Sequence, residues 1–332
     1  MLKEDIREFL TANGFCCICG DICGHGMLRT VTKDGSERII LPVEIDAESP
    51  EDARKHADGI QTVIESITEI SGQRPVIMTA DRWKQQRNMM EKRLLAHLEV
   101  FFPIYARNCE IRRIDKAEAA AFLHESHSYG DASCRYRYGL FLKRHTGKRA
   151  SDMSYGSSRN GNEENLHKGM KFIETGTLVA VSEFSNARKW KKGDKVIRSY
   201  EWTRYASLPD VRINGGMGKI LNHFIKEVQP DDIMSYADLE WSEGSAYEQL
   251  GFILEGQKEA VTFMVDMERG VRTPLGKRSC ADVQDDNYNI SGIQDGRNNI
   301  PDASDDREAV RYNRYFRNLG SNKYRLKLTD YK

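Results

Sequence analysis

The chain has no excess of charge of either sign and no long hydrophobic run. Its 332 residues carry 50 Lys and Arg against 50 Asp and Glu, so the net charge is zero with histidine neutral. This balance argues against a protein that coats nucleic acid through bulk charge, although it leaves room for a local basic face. No apolar run of about 18 residues occurs, so we expect no membrane span.

Features of an exported protein are lacking as well. The opening residues, MLKEDIREFL, include acidic side chains and no long apolar segment, which argues against a signal peptide. The seven cysteines are an odd number, and without an export signal they favour a reducing compartment with few or no disulfides. We therefore expect a cytoplasmic protein whose length allows two domains.

The cysteine-rich stretch CCICGDICGH lacks the double C-x₂-C pattern that is typical of a structural zinc site. Its weak candidates as metal ligands are Cys16, Cys19, Cys23 and His25. Buried cysteines on a strand are the favoured interpretation, because all four candidates lie in one short segment.

Residues 1–105 predict an N-terminal α/β unit of unknown role. A short helix over 1–12 is followed by strands joined through the hairpin turn KDGS. A Ser-Pro start and helical spacing of apolar residues predict a helix over 50–71. The buried strand PVIMTA and one long helix over 81–101 complete the unit, in which we find no catalytic motif.

Residues 106–332 predict a second unit, with polar insertions at about 146–170 and 281–309. Its pattern alternates strands with a helix that Asp115 caps, and a further strand covers 260–267. The closing segment 311–328 predicts a short helix, a Gly-Ser-Asn turn and a terminal strand. We expect an α/β (α+β) fold with a mixed sheet that carries helices on both faces.

The stretch RINGGMGKILNHFI joins a strand to an amphipathic helix over 215–228 through a glycine turn. Free backbone N–H groups and the positive end of a helix favour an anion at such a turn. The same geometry also joins strands to helices without any ligand. The turn alone therefore leaves a phosphate site and a simple bend as alternatives.

This order of elements, with GGMG after the fourth strand, resembles the GNAT superfamily of N-acetyltransferases. The resemblance implies that the turn binds the pyrophosphate of acetyl-CoA or a related acyl-CoA, a small-molecule donor. The cofactor-binding candidates are Gly215, Gly216, Gly218 and Lys219. Counted from Arg212, the family pattern finds Gly215 but has Met217 in its last position. Counted one residue later, it finds Gly216 and Gly218 but has Ile213 in place of a polar residue.

The segments EFSNARKW, RSYEWTRYASLPD, PDDIMSYADLEWSEGSAYEQLGF and GSNKYRLKL are similar to phage and bacterial proteins of the Mom DNA-modification family. That family is GNAT-like, modifies adenine in phage DNA and blocks restriction. The resemblance implies catalytic roles for Arg204, Asp238 and Tyr247 and substrate contacts for His127 and Tyr129. It covers about half of the chain and leaves the N-terminal unit outside.

Each of these residues also has a structural interpretation. Asp238 follows a strand, where a carboxylate serves as a base or as a turn residue. Tyr247 serves as the proton donor to a thiolate or packs its helix on the sheet. Arg204 binds an anion or pairs with Asp238 across neighbouring strands. His124 and His127 are spaced to share a helix face, which leaves a metal site as a less favoured alternative.

Residues 187–198, the basic hairpin, place several cations around one aromatic side chain. Phosphate contacts combined with a stacking aromatic suit a nucleic-acid surface, and a solvated hairpin with a packing Trp is the alternative. The candidates for DNA contacts are Arg188, Lys189, Trp190, Lys191, Lys192, Lys195 and Arg198.

The resemblances and the residue patterns leave three functions open. The first is a Mom-like enzyme that uses an acyl-CoA-type donor to modify the adenine amine in DNA, which requires the base to be flipped out of a duplex. The second is an ordinary N-acetyltransferase for a small amine or a peptide. The third is a phage or mobile-element accessory protein that keeps the fold without the reaction.

Overall fold

The computed structural model describes residues 1–146, 172–275 and 313–330. Apart from residue 146, the two predicted insertions lie outside the described residues. The described chain is a mixed α+β protein, which confirms the expected fold class. None of the helices in the described ranges is long and apolar enough to cross a membrane.

The N-terminal part is built on a four-stranded sheet. Its elements are α1 (Leu2–Ala12), β1 (Cys17–Ile22), β2 (His25–Val31), β3 (Glu37–Val43), α2 (Pro50–Ser71) and β4 (Val76–Thr79). The strands lie in the order β1-β2-β3-β4, antiparallel except for the parallel pair β3 and β4. The predicted hairpin turn and the predicted helix 50–71 are both confirmed.

Local signals explain the ends of α2. The hydroxyl of Ser49 accepts a hydrogen bond from the Asp52 N–H at 3.1 Å, and Pro50 fills the first helical position. At the other end Gly72 adopts a left-handed conformation with φ of 71°, which ends the helix.

The long helix that we expect over 81–101 is two helices, α3 (Ala80–Gln85) and α4 (Arg87–His97). The helical path breaks at Gln86, whose φ and ψ are −119° and 39°. Trp83 before the break and Leu94 after it are buried in the same core. The expectation of one helix was wrong because packing into that core overrides the continuous helical pattern of the sequence.

The rest of the described chain contains one large sheet and two smaller sheets. Its elements are β5 (Phe102–Tyr105), β6 (Cys109–Arg113), α5 (Lys116–Ser126), β7 (Tyr136–Leu142), β8 (Leu178–Phe184), β9 (Arg188–Lys192), β10 (Lys195–Ser207), β11 (Val211–Asn214), α6 (Gly216–Val228), β12 (Asp232–Asp238), α7 (Ser245–Gln249), β13 (Ile253–Lys258), β14 (Thr262–Asp266), β15 (Val271–Pro274), β16 (Asn313–Arg317) and β17 (Ser321–Lys327). The large sheet has the order β13-β17-β12-β10-β8-β7-β6, and β9 pairs with β10 outside that path.

The core of the large sheet is aromatic. Phe224 of α6 stacks on Phe184 of β8, with ring centroids 3.9 Å apart and planes 4° from parallel. Tyr200 and Trp202 of β10 are buried in the same cluster. The apolar face of α6 therefore packs on the sheet, as the helical spacing in the sequence predicts.

Two segments differ from the sequence prediction. The expected short helix near the start of 311–328 is wrong, because 313–317 form β16 and pair antiparallel with β14. The strand over 260–267 exists as β14, but it joins β15 and β16 in a separate three-stranded sheet. Val265 and Phe316 of that sheet share a buried cluster with residues of α2. The predicted second unit thus packs on the first.

A second contact joins the two predicted units, whose boundary lies at residue 105. Strand β5 pairs in parallel with β11, from Phe102 opposite Val211 to Tyr105 opposite Asn214. This two-stranded sheet lies directly before the glycine turn, so the end of the N-terminal unit supports the start of α6.

Candidate functional site

The glycine turn leads from β11 into α6. Gly215 adopts a left-handed conformation with φ of 75° and lies exposed at the start of the helix, where no side chain caps it. A Cβ on Gly216 would lie 2.6 Å from the hydroxyl of Tyr205 and 2.9 Å from the Ile213 side chain. Gly216 is therefore required by close packing behind the turn. An uncapped helix start that follows an exposed residue is suited to a phosphate group.

Lys219, a candidate for cofactor contact, is engaged by the backbone. Its ammonium donates hydrogen bonds to the carbonyl oxygens of Ala106, at 2.8 Å, and of Cys109. Lys219 therefore ties α6 to the segment that follows β5. Among the predicted residues of the turn, the three glycines remain the ones whose N–H groups could bind an anion.

The backbone pairing of β10 and β12 ends near the middle of the sheet. The parallel register runs from Ser199 opposite Asp232 to Glu201 opposite Met234, although both strands continue beyond it. At the next position the Ser235 hydroxyl donates a hydrogen bond to the Trp202 carbonyl at 2.8 Å. The predicted catalytic residues of β10 and β12 therefore lie beyond the point where the two strands pair.

Arg204 lies on β10, after a register shift that separates the pairs of Trp202 and Arg204 with β8. Its Nε donates to the carbonyl of Gly130 at 2.9 Å, and its Nη1 donates to the carbonyl of Thr203 at 2.8 Å. The pairing with Asp238 that we weighed as an alternative gives way to these carbonyl contacts. They hold the guanidinium against the turn that contains the predicted His-Tyr pair.

Asp238 is the last residue of β12, and its carboxylate has three polar contacts. Oδ2 accepts a hydrogen bond from the Tyr129 hydroxyl at 2.8 Å and lies 3.6 Å from the Arg82 guanidinium. Oδ1 accepts from the Glu240 N–H at 2.9 Å. Burial and the nearby Glu240 charge raise the pKa of Asp238, while Arg82 opposes that rise. Its side chain is 16% exposed, so solvent still reaches it.

The predicted His-Tyr pair lies beside Asp238 and Arg204. Tyr129 is 45% exposed overall, but its hydroxyl is enclosed between Asp238 and Arg82, and this burial raises the pKa of the phenol. The Nδ1 atom of His127 accepts a hydrogen bond from the Tyr129 N–H at 3.1 Å. Burial and the charges of Arg204 and Arg82 lower the pKa of His127 to about 3, so the ring is neutral.

His124 and His127 do not share a helix face, which corrects our prediction. Helix α5 ends at Ser126, and His127 adopts an extended conformation with φ of −134° and ψ of 128°. The extended residue turns the chain away from the helix, and His124 stays exposed on the last helical turn. The helical spacing that would favour a shared metal ion is therefore lost.

Tyr247 lies on α7 with its ring in the core of the sheet. The ring stacks on Tyr324, with centroids 5.5 Å apart, and meets Trp202 edge-on. Its hydroxyl shares a hydrogen bond of 2.8 Å with the Ser235 Oγ, at the point where β10 and β12 stop pairing. Burial raises the pKa of Tyr247, and the charge of Arg204 acts in the opposite direction. Tyr247 is thus both a packing residue and a neighbour of the site.

Four charged residues near the site, two of them from the N-terminal part, were not selected by reasoning from the sequence. Arg82 of α3 lies 3.1 Å from the Tyr129 hydroxyl and 3.2 Å from the Glu240 carboxylate, with 6% of its side chain exposed. Arg272 of β15 donates to Glu240 at 2.8 Å and to Asp81 at 3.1 Å. We call Asp81, Arg82, Glu240 and Arg272 the buried ion cluster. No local motif marks these residues, because each is an ordinary charged residue in its own segment.

The basic hairpin has the predicted structure. Its strands β9 and β10 pair antiparallel, from Lys192 opposite Lys195 to Arg188 opposite Ser199. Every residue of β9 is exposed, and Trp190 retains 38% of its accessible surface. Two of its arginines lie 3.8 Å from acidic side chains, Arg188 from Glu201 and Arg198 from Asp231. The hairpin therefore presents cations to solvent, and DNA contact stays a prediction.

The cysteine-rich stretch forms β1 and the turn into β2. Cys16, Cys19 and Cys23 are exposed and reduced, so the expectation that they are buried was wrong: no element of the described chain packs on the outer face of this edge strand. The His25 Nδ1 lies 3.2 Å from the Cys23 carbonyl oxygen. Within the described ranges, no group of three or more His, Cys, Asp or Glu side chains is arranged to bind a metal ion. The candidates are thus spread along a hairpin rather than gathered around one point.

Two open depressions of the described surface lie away from these residues. One of about 520 Å³ is lined by α1, and one of about 380 Å³ lies between α2 and the loop that contains Glu243. Comparison with known proteins adds no relative, since the chain matches no protein-family model and no curated protein sequence. The GNAT and Mom resemblances therefore rest on the sequence segments alone and stay predictions.

Proposed function

We propose that this protein is a GNAT-type transferase that moves an acyl-type group from an acyl-CoA donor to the adenine amine of DNA. One observation carries the proposal: beyond the point where β10 and β12 stop pairing, the Tyr129 hydroxyl donates a hydrogen bond to Asp238 at the end of β12. The Arg204 guanidinium on β10 donates to the carbonyl of Gly130, one residue after Tyr129. Helix α6 lies in the connection between the parallel strands β10 and β12, and its uncapped start suits a phosphate.

The glycine turn supplies the binding site for the donor in this proposal. The N–H groups of Gly216 and Gly218 would bind the pyrophosphate, and the left-handed Gly215 would let the chain enter the helix next to it. The Tyr205 hydroxyl behind Gly216 leaves no room for a side chain there, which keeps the turn compact. An acyl-CoA supplies a thioester that an amine can attack.

Asp238 accepts the proton of the attacking amine in this proposal. The raised pKa of Asp238 lies closer to neutral pH than the pKa of an ordinary aspartate, which makes the carboxylate a stronger base. The hydrogen bond from Tyr129 fixes the orientation of Oδ2. Because the ionised form is the base, activity should rise with pH through the pKa of Asp238.

In this proposal Tyr247 acts on the leaving thiolate and Arg204 acts on the carbonyl oxygen of the donor. The raised pKa keeps the Tyr247 phenol protonated at neutral pH, so the hydroxyl can donate to a leaving thiolate. Arg204 is fixed by two carbonyl oxygens and places a positive charge beside the same region. That charge favours a carbonyl oxygen that becomes negative during transfer.

A small amine or a peptide is the alternative acceptor. The zero net charge favours it, because it removes the long-range attraction that draws most DNA-modifying proteins to their substrate. The exposed cations of the basic hairpin favour DNA instead.

Radiolabelled acetyl-CoA tests the proposal with three acceptors: an adenine-containing single-stranded oligonucleotide, spermidine and a lysine-containing peptide. We expect label on the oligonucleotide, with kcat reduced about 100-fold or more by Asp238→Asn. Tyr247→Phe should also reduce kcat. Glu243→Gln, which changes an exposed carboxylate that follows β12, is the matched control and should leave turnover unchanged.

Label on spermidine or the peptide alone would replace DNA with the second acceptor class. Full turnover in both Asp238→Asn and Tyr247→Phe would refute the roles assigned to those residues. No transfer to any acceptor, together with intact folding, would favour the non-catalytic accessory protein.

A further inference from the structure

Arg82 reaches the candidate site from a part of the chain that the GNAT and Mom resemblances do not cover. It lies on α3, directly after the buried strand β4, and only 6% of its side chain is exposed. Its Nη2 donates to the Tyr129 hydroxyl at 3.1 Å and lies 3.6 Å from the Asp238 carboxylate. One guanidinium nitrogen thus contacts both members of the Tyr129–Asp238 hydrogen bond.

The guanidinium of Arg82 is also fixed by two aromatic rings. Its central carbon lies 5.0 Å from the ring centroid of Tyr129 and 5.6 Å from that of Trp241. A planar guanidinium that stacks on aromatic faces and bridges two oxygens is poorly replaced by a lysine ammonium. The position of Arg82 is therefore set by geometry as well as by charge.

The role of Arg82 differs from that of its neighbour in the buried ion cluster. Arg272 already donates to both oxygens of Glu240, at 2.8 and 3.0 Å, and also contacts Asp81. Glu240 therefore has a strong partner without Arg82. The contacts that Arg82 alone supplies are those to Tyr129 and Asp238.

Resting on the proposed function, we propose that Arg82 is a positioning residue, through which the N-terminal part of the chain completes the candidate site. It orients the Tyr129 hydroxyl toward the Asp238 Oδ2 and keeps a positive charge beside the carboxylate that receives the amine proton. Burying a cation costs free energy unless polar partners compensate for the lost water. The partners of Arg82 include the proposed base and the hydroxyl that donates a hydrogen bond to it.

The charge balance around Asp238 decides how its protonation responds to Arg82. The groups that act on the carboxylate or share its partners are Arg82, Arg93, Tyr129, Glu240 and, through Glu240, Arg272 and Asp81. Glu240 raises the pKa of Asp238 and Arg82 lowers it. Loss of the Arg82 charge removes a cation that lowers the pKa of Asp238, so the carboxylate should hold its proton to higher pH.

Carbon NMR of the full-length protein, labelled with ¹³C at the Asp side-chain carboxyl, tests the inference. Asp238→Asn identifies the Asp238 signal. In Arg82→Gln the titration midpoint of that signal should rise by about one pH unit, the usual effect of losing a close opposite charge. Arg82→Lys should lie between Arg82→Gln and the wild type. Arg87→Gln, an exposed arginine on the next helix, is the matched control and should leave the midpoint unchanged.

Tyr129→Phe provides a second route if Arg82→Gln does not fold. It removes the hydroxyl that both Arg82 and Asp238 contact and keeps the ring, and it should also raise the midpoint. An unchanged midpoint in folded Arg82→Gln, or in Tyr129→Phe where that variant must serve, overturns the inference. The readout needs no turnover, so a protein without transferase activity would refute the proposed function and leave this result standing.

Where turnover is found, the pH profile adds an independent check. The acidic limb of kcat/KM should move to higher pH in Arg82→Gln by the same amount as the NMR midpoint. A lower rate with no shift of the limb would assign Arg82 a purely structural role and overturn the inference.

Discussion

Two regions of this molecule are rich in charge and differ in almost every other respect. The basic hairpin carries its cations on exposed strands, and the acidic partners of Arg188 and Arg198 lie 3.8 Å away. The buried ion cluster alternates two arginines with two carboxylates that are at most 3% exposed. The hairpin is plain in the sequence, whereas the cluster exists only after folding.

Charges that are easy to recognise in the sequence are therefore not the charges that contribute most to the free energy of unfolding. Exposed ion pairs contribute about 0–1 kcal/mol because water solvates both groups. A buried ion whose partner is removed costs about 3–5 kcal/mol, since the remaining charge has no solvent to replace the partner. Variants that pair a buried residue with an exposed counterpart therefore test the comparison.

The largest effect is expected at Arg272. Arg272→Met removes the guanidinium that joins Asp81 and Glu240, and should lower the free energy of unfolding by about 3–5 kcal/mol. Urea denaturation followed by circular dichroism measures this loss. Arg269→Met, an exposed arginine 3.9 Å from Asp266, should change stability by less than about 1 kcal/mol. Equal losses in the two variants would break the comparison.

A second buried contact lies behind the glycine turn. Gly216→Ala places a Cβ 2.6 Å from the Tyr205 hydroxyl and should destabilise the protein by about 1–3 kcal/mol. Combining it with Tyr205→Phe removes the closest atom and should recover part of the loss. Thermal denaturation of the single and double variants measures the recovery. A double variant that is the sum of two independent losses would contradict this packing.

The pH dependence of stability sharpens the same distinction. The pKa of His127 is lowered to about 3, so below its ordinary value the unfolded chain binds a proton that the folded chain excludes. This contribution is complete above about pH 6.5, its ordinary value, and is lost as the pH falls toward the folded value. Between pH 6.5 and 5 we expect about 1–2 kcal/mol to be lost through this histidine.

Denaturant titrations at several pH values measure that loss. His127→Gln should flatten the slope of stability against pH between 6.5 and 5, relative to the wild type. His124→Gln changes an exposed side chain three residues earlier and serves as the control. A His127→Gln slope that equals that of the wild type would place the ring in solvent and refute its burial.

The smallest stability effect is expected in the basic hairpin. Lys189→Gln combined with Lys191→Gln should change the free energy of unfolding by less than about 0.5 kcal/mol. If the hairpin binds DNA, the same variant should reduce the slope of log affinity against log salt by about 2. Fluorescence anisotropy with an oligonucleotide measures that slope, and an unchanged slope would remove the hairpin from the DNA contacts.

Local signals made much of the fold predictable. The ends of α2 follow from Ser49, Pro50 and Gly72, and the turn before β3 follows from its Asp-Gly sequence. The segment that forms β16 was predicted as a helix, because its strand partner β14 lies beyond a stretch of 46 residues from 267 to 312. No short window of sequence contains that pairing.

The resemblance selected Tyr129, Arg204 and Asp238 from the sequence, and their roles stay predictions. In the structure the Tyr129 hydroxyl donates to Asp238, and Arg204 donates to the Gly130 carbonyl in the turn after α5. Arg82 is one of 50 Lys and Arg residues and sits in a helix without a motif. Its role depends on the packing of α3 against the end of β12, which is a tertiary property.

The central claim is that the start of α6 binds an acyl-CoA-type donor beside Asp238. Native mass spectrometry of the full-length protein with coenzyme A tests it most directly. We expect one bound coenzyme A in the wild type and in Gly256→Asp, a control on an exposed strand with open space around it. Gly218→Asp places a negative charge at the helix start and should weaken binding at least about tenfold, a loss of about 1.4 kcal/mol. A wild-type protein that binds no coenzyme A, or a Gly218→Asp variant that binds it equally well, would contradict the account.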